Sequence, residues 1–246
     1  MSNDLPDDIL TILKDGKLSI QGEFVWGSNY TFLAEVEHSR GKFKAVYKPT
    51  RGERPLWDFP AATLARREAA AYLVSEAINW KLVPPTVYRR KGPLGAGSLQ
   101  LFIEHDPEYH YFNFSEADRQ RLRPVAIFDL LVNNADRKGS HIMVDETGHL
   151  WLIDHGICFH VDEKLRTVVW DFAGEYFPDE LCSDLRQFIQ KLHPLDGSPS
   201  ELALSLKSYL SAAEISALYE RARRLLAIAR FPNPNPNRRP YPWPPV

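Results

Sequence analysis

The 246-residue chain has few cysteines, and it lacks both long hydrophobic runs and a strong excess of charge of either sign. Its two cysteines, Cys158 and Cys182, form neither a metal-binding pattern nor a disulfide framework, so we expect a cytoplasmic protein. No apolar stretch approaches roughly 18 residues, and the acidic start MSNDLPDDIL has no apolar signal region, which predicts neither a membrane span nor a signal peptide. The 30 basic and 32 acidic residues form no dense basic stripe, which argues against a nucleic-acid-binding protein.

A Pro-rich tail, residues 231–246 (FPNPNPNRRPYPWPPV), follows a chain whose composition is otherwise that of a globular protein. The 44% hydrophobic and 12% aromatic content is enough to bury a core in one compact unit or in two small lobes. The density of Pro and Asn prevents the tail from forming a helix, so we expect it to run extended along the surface. It either contacts a partner through Tyr241 and Trp243 or packs on its own domain.

Two carboxylates, Asp136 and Asp154, stand eighteen positions apart in the segment from Asn134 to Val161. Each lies at the end of an apolar run and precedes polar, turn-prone residues, and the sequence DETG between them predicts a hairpin. This layout is typical of phosphoryl transfer. A first carboxylate on a loop can orient a hydroxyl group and accept its proton, and a second one can hold the metal ions that bridge nucleotide phosphates.

The motifs around these carboxylates, DRKGSHIM and IDHG, resemble the catalytic and metal-binding loops of the phosphatidylinositol 3- and 4-kinase-like branch of the kinase superfamily. In that branch the patterns are DRHxxNIM followed by IDFG or IDNG. The resemblance implies an ATP-dependent phosphotransferase that requires Mg²⁺ or Mn²⁺. It also implies that Asp136 is the catalytic base, that Lys138 lies near the transferred phosphoryl group, and that Asp154 binds the metal.

The same resemblance implies an α+β, two-lobed protein-kinase-like fold. Residues 1–103 would form an N-lobe with an antiparallel sheet and one main helix, after a short first helix around Pro6 to Leu13. Residues 104–230 would form a small, mostly helical C-lobe, and residues 231–246 the tail. The C-lobe is short for a protein kinase, and no APE-type segment follows Asp154, so the substrate-docking features of protein kinases are absent or altered.

One position departs from the family pattern, because five residues after Asp136 this chain has His141 where the family has Asn. An imidazole can ligate a divalent ion. Magnesium prefers oxygen ligands and manganese accepts nitrogen more readily, so a metal-binding His141 predicts relatively strong support by manganese. The alternative is that His141 marks reduced catalysis, which would leave a nucleotide-binding pseudokinase.

A kinase also needs a lysine on the nucleotide phosphates, held by an acidic residue on a neighbouring helix. The alternating segment KFKAVYKP predicts a strand that ends at Lys48, just before a proline, and Lys48 is therefore the candidate lysine. Thr63 is a candidate cap for a helix through LARREAAAYLVSEAINW. Glu68 in the second turn of that helix is the expected partner of Lys48, and Glu76, two turns further on, is the alternative.

Two further segments are candidates for nucleotide contacts. FVWGSNYTFLAEVE predicts a strand, a turn and a strand, and the backbone N–H groups of Gly27, Ser28 and Asn29 would cover the phosphates unless the turn is an ordinary hairpin turn. LVPPTVYRR and GSLQLFIEHD predict two more strands, and in the resembled fold the second leads into the hinge between the lobes. Adenine would then contact the backbone at Phe102, Ile103 and Glu104.

The remaining segments predict a helical scaffold around the Asp136 loop. Amphipathic helices are expected through SEADRQRLRPVAIFDLLVNN, with Ser115 as its cap, and then through ELCSDLRQFIQKL, SELALSLKSYL and AAEISALYERARRLLAIARF. Phe128, Leu131 and Val132 should pack in the core and so fix the position of the loop. Arg137 is expected to brace that loop through a buried ion pair rather than to contact substrate.

The phosphate acceptor is not defined by the sequence, although an anionic lipid is disfavoured. The stretch after Asp154, HVDEKLRTVVWDFAGEYF, has Lys164 and Arg166 against four acidic residues. A protein hydroxyl group or a small polar metabolite is the expected acceptor.

A metal-dependent hydrolase is a rival function that would use some of the same residues. Asp and His are the usual metal ligands of hydrolases, and the candidates here are Asp136, His141, Asp154, His155 and also His160. The chain has no HExxH or HxH cluster to supply two ligands from one rigid element. This alternative also leaves the predicted lysine–glutamate pair without a role.

Overall fold

A computed structural model describes residues 6, 8–24 and 30–246, in which a five-stranded antiparallel sheet precedes a mostly helical region. The spatial order of the strands is β1-β2-β3-β5-β4. Their bounds are β1 (Lys17–Glu23), β2 (Phe32–His38), β3 (Gly41–Pro49), β4 (Thr86–Arg89) and β5 (Gly97–Leu101). The segment KFKAVYKP forms β3, which has neighbours on both sides. Its side chains alternate between apolar and polar because successive side chains of a strand point to opposite faces of the sheet.

Helix α1 (Ile9–Asp15) covers one face of this sheet and begins three residues later than the predicted Pro6. Its Ile12 and Leu13 are buried against a small apolar core that includes Val36, Tyr47 and Leu99. The opposite face of the sheet is turned toward helix α2 and the helical region, and Lys48 lies on that side.

Helix α2 (Leu64–Ala77) is buried on nearly all sides, because it lies between the sheet and the helical region. Ala70, Ala71 and Val74 belong to the larger apolar core, which is shared with the C-terminal helices. The helix therefore lacks the polar face that a surface helix shows. This position places its Glu68 between the two halves of the molecule.

The start of α2 is capped differently from the prediction. The Thr63 hydroxyl donates to the Pro60 carbonyl and makes no capping bond to the helix. Instead, the Glu53 carboxylate accepts from the backbone N–H of Leu64 (3.1 Å) and of Ala65 (2.9 Å). A negative charge at this end of the helix satisfies free N–H groups and complements the helix dipole.

The helical region contains α3 (Glu116–Gln120), α4 (Arg123–Val132), the hairpin β6 (Ile142–Val144) and β7 (Leu150–Leu152), α5 (Asp179–Leu192), α6 (Glu201–Leu206) and α7 (Ala212–Ile228). Ser115 caps α3 by accepting from the Asp118 N–H, as predicted. The helix predicted beyond it is interrupted, because Pro124 opens a second helix, α4, and cannot donate to a preceding turn. None of the helices in the described residues is long and apolar enough to cross a lipid bilayer.

The larger core supports the loop that follows α4. Phe128, Leu131 and Val132 are fully buried, which confirms that they turn inward. Asn133 ends the helix in a left-handed conformation, so the chain reverses sharply into Asn134 and the loop. The division into lobes near residue 103 remains a prediction.

The Pro-rich tail packs on its own chain, which is one of the two alternatives that the sequence left open. The Thr167 N–H donates to the Pro240 carbonyl (3.0 Å), and the Gly139 N–H donates to the Pro245 carbonyl (2.8 Å). Phe231 at the start of the tail is buried. The tail therefore borders the loop that carries Asp136.

Candidate active site

Lys48 meets two carboxylates from different parts of the chain. Its ammonium donates to Glu68 Oε1 (2.6 Å), from α2, and to Asp154 Oδ1, from the loop after β7. Glu76, the alternative partner, is exposed on the helix surface. The predicted pairing of Lys48 with Glu68 is therefore present, and it extends to Asp154 across the boundary between sheet and helices.

Mutual attraction keeps this cluster charged although it is buried. Burial opposes the charge of Lys48, but the carboxylates of Asp154 and Glu68 outweigh burial and raise the pKa of the ammonium. Burial likewise opposes the charge of Asp154, but Lys48 and then His141 hold the pKa of that carboxyl well below its usual range. At neutral pH the lysine is therefore a cation beside an ionised aspartate.

The backbone around Asp154 turns its carboxylate back toward the lysine. Asp154 has a left-handed conformation (φ +60°), which is uncommon outside glycine and costs about 1 kcal/mol or more. Neighbouring contacts hold this turn, since the Ile153 carbonyl accepts from Arg137 Nη1 (2.7 Å) and the His155 N–H donates to Glu68 Oε2 (2.9 Å). Glu68 thus binds both the lysine and the turn that carries Asp154.

The loop that carries Asp136 is braced by a buried ion pair, as predicted for Arg137. Arg137 Nε lies 3.0 Å from Asp129 Oδ1, and both side chains are fully buried. Asp129 also accepts from Asn134 Nδ2 and from the Thr167 hydroxyl, while Asn134 Oδ1 accepts from the Asp136 N–H (2.9 Å). These contacts fix the backbone on both sides of Asp136.

Asp136 itself is partly buried beside a lysine. Lys138 Nζ lies 3.9 Å from Asp136 Oδ2. Burial raises the pKa of the Asp136 carboxyl, although Lys138 and His141 act in the opposite direction. A carboxylate with a raised pKa accepts a proton more readily than an exposed one.

His141 contacts the same aspartate that pairs with the lysine. Its Nε2 lies 3.1 Å from Asp154 Oδ2, and its Nδ1 is buried without a hydrogen-bond partner among the described residues. An imidazole nitrogen and a carboxylate oxygen that converge in this way fit a divalent ion, which in phosphoryl-transfer sites takes one or two protein ligands together with phosphate oxygens. If this nitrogen binds the ion, it favours manganese relative to a site built only from oxygen.

Two of the histidines of the rival hydrolase site, His155 and His160, are engaged by other groups. His155 is fully buried, and its Nε2 accepts from Arg137 Nη2 (2.7 Å); burial and the guanidinium lower the pKa of His155 well below its usual range. His160 lies against the Asp58 carbonyl (3.0 Å). Within the described residues, no group of three or more His, Cys, Asp or Glu side chains is placed to hold a metal ion. A protein-only metal site of the hydrolase type therefore has no support.

A cavity of about 220 Å³, which we call the central cavity, joins these groups. Six residues that the sequence predicted for the site line it: Lys48, Glu68, Asp136, Lys138, His141 and Asp154. Glu53, Arg54 and Leu56 line it as well, and sequence reasoning missed them. The sequence signal for Glu53 was weak, because it caps a helix that begins eleven residues later.

The predicted hinge residues lie outside the lining of the central cavity. The Phe102 N–H is already engaged by the Lys44 carbonyl (3.0 Å). Glu104 is exposed and pairs with the Lys44 ammonium (2.7 Å), and the Ile103 carbonyl lies 2.9 Å from the ring nitrogen of His105. With these contacts intact, Phe102 has no free N–H to offer a base.

The predicted phosphate-covering turn cannot be placed in the structure. Gly27, Ser28 and Asn29 lie outside the described residues. Tyr30 and Thr31, which follow them directly, line the central cavity. The contact of the turn with phosphates remains a prediction.

Comparison with known proteins identifies the family of the chain. The family model for phosphatidylinositol 3- and 4-kinase matches residues 61–213, which is more than half of the chain. The chain belongs to the phosphatidylinositol 3- and 4-kinase family. A relative, Protein Rv2133c of Mycobacterium tuberculosis, is 41% identical over 98% of this chain and 96% of its own length.

Named members of the phosphatidylinositol 3- and 4-kinase family match only part of the chain. Phosphatidylinositol 4-kinase gamma 4 of Oryza sativa subsp. japonica is 31% identical over 48% of this chain and 25% of its own length. The protein of the same name from Arabidopsis thaliana is 32% identical over 43% and 23%. The matched part of the chain thus spans about a quarter of the plant kinases.

Solved structures confirm the two-lobed, α+β, protein-kinase-like fold. Hydra Fam20 with sugar has a TM-score of 0.59 at 14% identity, covering 90% of this chain and 87% of the other. The Golgi casein kinase with Mn/ADP bound has 0.53 at 15%, covering 90% and 74%. The Helicobacter pylori proinflammatory kinase CtkA has 0.54 at 9%, covering 89% and 94%. At these identities the likeness shows the fold alone.

Proposed function

We propose that this member of the phosphatidylinositol 3- and 4-kinase family is an ATP-dependent phosphotransferase that moves the γ-phosphate of ATP to the hydroxyl group of a protein or a small molecule. One observation carries the proposal: Lys48, Glu68 and Asp154 converge from the sheet, helix α2 and the loop after β7 in a cavity that also holds Asp136. Family membership supports phosphoryl transfer independently.

In this proposal Lys48 binds the α- and β-phosphates of the nucleotide. Glu68 holds it in place at 2.6 Å, and the high pKa of the ammonium keeps the cation charged at any physiological pH. Without nucleotide, Lys48 pairs with Asp154 directly. In the proposal, Lys48 instead binds the phosphates, and Asp154 binds the divalent ion that the phosphates contact.

Asp154 and His141 would hold Mg²⁺ or Mn²⁺, which supplies charge neutralisation at the nucleotide phosphates when bound. The low pKa of Asp154 keeps it ionised for that role. His141 brings an imidazole nitrogen where the family pattern has Asn. If His141 holds the ion, the chain is an active kinase. If it does not, the alternative is a pseudokinase that binds nucleotide without transferring phosphate.

Asp136 would orient the acceptor hydroxyl and take its proton, and Lys138 would offset the charge that grows on the transferred group. Both side chains line the central cavity, and the hydrogen bonds of Asn134 and Arg137 fix the backbone that carries them. Adenine contacts are proposed at the backbone of Ile103 and Glu104, beside Phe102, whose N–H is engaged.

The test measures transfer and nucleotide binding separately. Native protein, Asp136→Asn and the control Asp162→Asn, whose side chain is 78% exposed, are incubated with γ-labelled ATP and Mg²⁺ or Mn²⁺, and label is located in protein, lipid and metabolite fractions. We expect Asp136→Asn to abolish transfer while ATP-induced thermal stabilisation persists. Equal loss of both would show that Asp136 is structural, and ATP stabilisation without transfer by native protein would indicate the pseudokinase.

A further inference from the structure

A second cavity, of about 380 Å³, adjoins the central cavity and shares Leu56 and Ile157 with it. We call it the tail cavity, because residues of the Pro-rich tail between Pro232 and Pro240 form one wall. The other walls come from residues 56–59 and from residues 163–166 in the segment after Asp154. Its volume is that of a small-molecule site, for which roughly 300–1,000 Å³ is typical.

The acidic groups that line the tail cavity are already paired. Asp58 lies 3.0 Å from Lys164 Nζ, and Glu163 lies 3.7 Å from the guanidinium of Arg238. Each of these pairs is neutral as a unit. The other acidic residues that the sequence analysis counted near this segment do not line the cavity; Glu175, for example, pairs with Arg123.

Two arginines in the lining have no such partner. Within the described residues, no carboxylate lies within 4.0 Å of the guanidinium of Arg166 or of Arg239. The ring of Trp243 lies under Arg239 at 5.9 Å. The lining of the tail cavity therefore carries an excess of two positive charges, and such an excess favours an anionic ligand, although Arg166 also acts on the Asp136 carboxylate of the central cavity.

Arg166 is held rigidly beside the catalytic loop. Its backbone N–H donates to the Asn134 carbonyl (2.9 Å), its carbonyl accepts from the Arg137 N–H (2.9 Å), and its Nε donates to the Ala135 carbonyl (2.8 Å). The two η nitrogens remain available as a fork of donors next to Asp136. A rigid fork of this kind suits phosphate and carboxylate groups, because little rotamer freedom is lost on binding.

Aromatic side chains complete the lining. Trp57 is 92% exposed, with the Lys164 ammonium 5.1 Å from its ring centroid, and it stands at the edge of the tail cavity. Trp170 also lines the cavity, and its buried indole N–H has no acceptor among the described residues. Flat apolar surfaces beside cationic groups favour a ligand that has a compact body as well as a charge.

We propose that the tail cavity binds the phosphate acceptor, and that this acceptor is a small soluble molecule with a hydroxyl group and a phosphate or carboxylate group held by Arg166 and Arg239. The proposal rests on the phosphotransferase function above. The hydroxyl oxygen attacks the γ-phosphorus, the bond from phosphorus to the β–γ bridging oxygen breaks, and ADP leaves with its electron pair. The hydroxyl proton passes to Asp136.

The anion site is tested first without nucleotide, by calorimetric titration of the full chain with inorganic phosphate. A Lys48→Met, Lys138→Met background removes two of the three basic side chains that line the central cavity and so weakens phosphate binding there. In that background we expect the double variant Arg166→Gln, Arg239→Gln to weaken phosphate binding about tenfold or more. Arg239→Gln alone should weaken it about threefold. Because the Arg239 side chain is exposed, this single change should leave the fold intact. The exposed Arg186→Gln is the matched control and should leave binding unchanged.

Unchanged phosphate binding in the double variant and in Arg239→Gln would overturn the anion site. This titration tests the anion site alone. Binding of Mg·ATP to the native protein tests the proposed function separately. Binding of phosphate at the arginines without binding of Mg·ATP would refute the kinase proposal and with it the acceptor role, whereas Mg·ATP binding with no effect of the arginines would refute only the tail cavity.

The class of acceptor is tested with labelled ATP and three separate acceptor pools. These are glycerol 3-phosphate and hexose phosphates as soluble anions, neutral polyols, and phosphatidylinositol vesicles. We expect label in the soluble anions, with a KM for the acceptor that rises about threefold in Arg239→Gln while the KM for ATP stays the same. Label found only in the polyols or only in the lipid would contradict the proposal.

Discussion

At the scale of single residues, the most consequential difference from the family pattern is His141. Its Nε2 lies 3.1 Å from Asp154 Oδ2, so the histidine lies next to the carboxylate that is proposed to bind the metal. A site with one nitrogen and one carboxylate ligand discriminates between metals by ligand type. We therefore expect the metal preference of the proposed site to depend on this side chain.

We expect His141→Asn to lower the ratio of Mn²⁺-supported to Mg²⁺-supported ATP turnover by several-fold, about 1 kcal/mol in relative transition-state stabilisation, because an amide oxygen suits magnesium better than an imidazole does. The measurement is steady-state turnover with each metal at saturation. His38→Asn, in β2 and remote from the cavity, is the control. A ratio that does not change would remove His141 from the metal site.

The same scale shows what a sequence can and cannot indicate about a site. Asp136, Lys138, His141 and Asp154 lie within two short motifs, so the resemblance of those motifs to the kinase loops placed them in one site, and Lys48 followed from the need for a cation. Arg239 reaches the tail cavity only because the tail folds back on the chain. Contacts of that kind depend on tertiary packing, which no local pattern encodes.

At the scale of elements, helix α2 depends on a residue outside itself. Glu53 accepts from two N–H groups at the start of the helix, while Thr63, the expected cap, bonds elsewhere. Sequence reasoning identified the helix correctly from its periodicity but assigned its cap to the adjacent residue. The true cap comes from a loop that tertiary structure brings to the helix end.

Glu53→Gln should lower the free energy of unfolding by about 1 kcal/mol, because the amide keeps only part of the capping bonds and removes the negative charge at the helix start. Chemical denaturation followed by circular dichroism measures the change. Glu23→Gln, an exposed position in β1, serves as the control. Equal stability of the native protein and Glu53→Gln would mean that solvent caps the helix as well as the carboxylate does.

At the scale of the whole molecule, α2 is fastened to the helical region rather than only to the sheet. Arg67 donates to the Cys158 carbonyl (2.7 Å) and to Glu214 on α7 (2.5 Å), with the arginine almost completely buried. Trp80, just after the helix, donates to Asp184 on α5 (2.8 Å). The sequence predicted each of these helices but not the ion pair between them, since its partners stand far apart in the chain.

The Arg67–Glu214 pair should make stability depend on pH. Burial alone would raise the pKa of Glu214, but the Ser211 N–H and the Arg67 guanidinium lower it overall. A depressed pKa means that the folded state gains stability above the ordinary value of 4.5 and loses it as the pH falls through the lower value of the folded protein. The contribution is therefore complete at pH 7 and absent in strong acid.

We expect Glu214→Gln to cost about 2 kcal/mol at pH 7, because Arg67 loses its counter-charge, and the difference from native protein to shrink as the pH falls below about 4.5. Thermal unfolding across this pH range measures it. Glu220→Gln breaks an exposed pair on the same helix and should have almost no effect. A difference that stays constant down to low pH would show that the charge of Glu214 is not responsible.

The anchoring of α2 also bears on control of activity. Kinases that are switched by their neighbours often rely on an outward swing of the corresponding helix, which separates the lysine from its glutamate. Here such a swing would have to break a buried ion pair and open the larger core. If the chain is the kinase proposed here, we therefore expect Lys48 and Glu68 to stay paired at rest, so that its output follows the supply of nucleotide and acceptor instead of a signal.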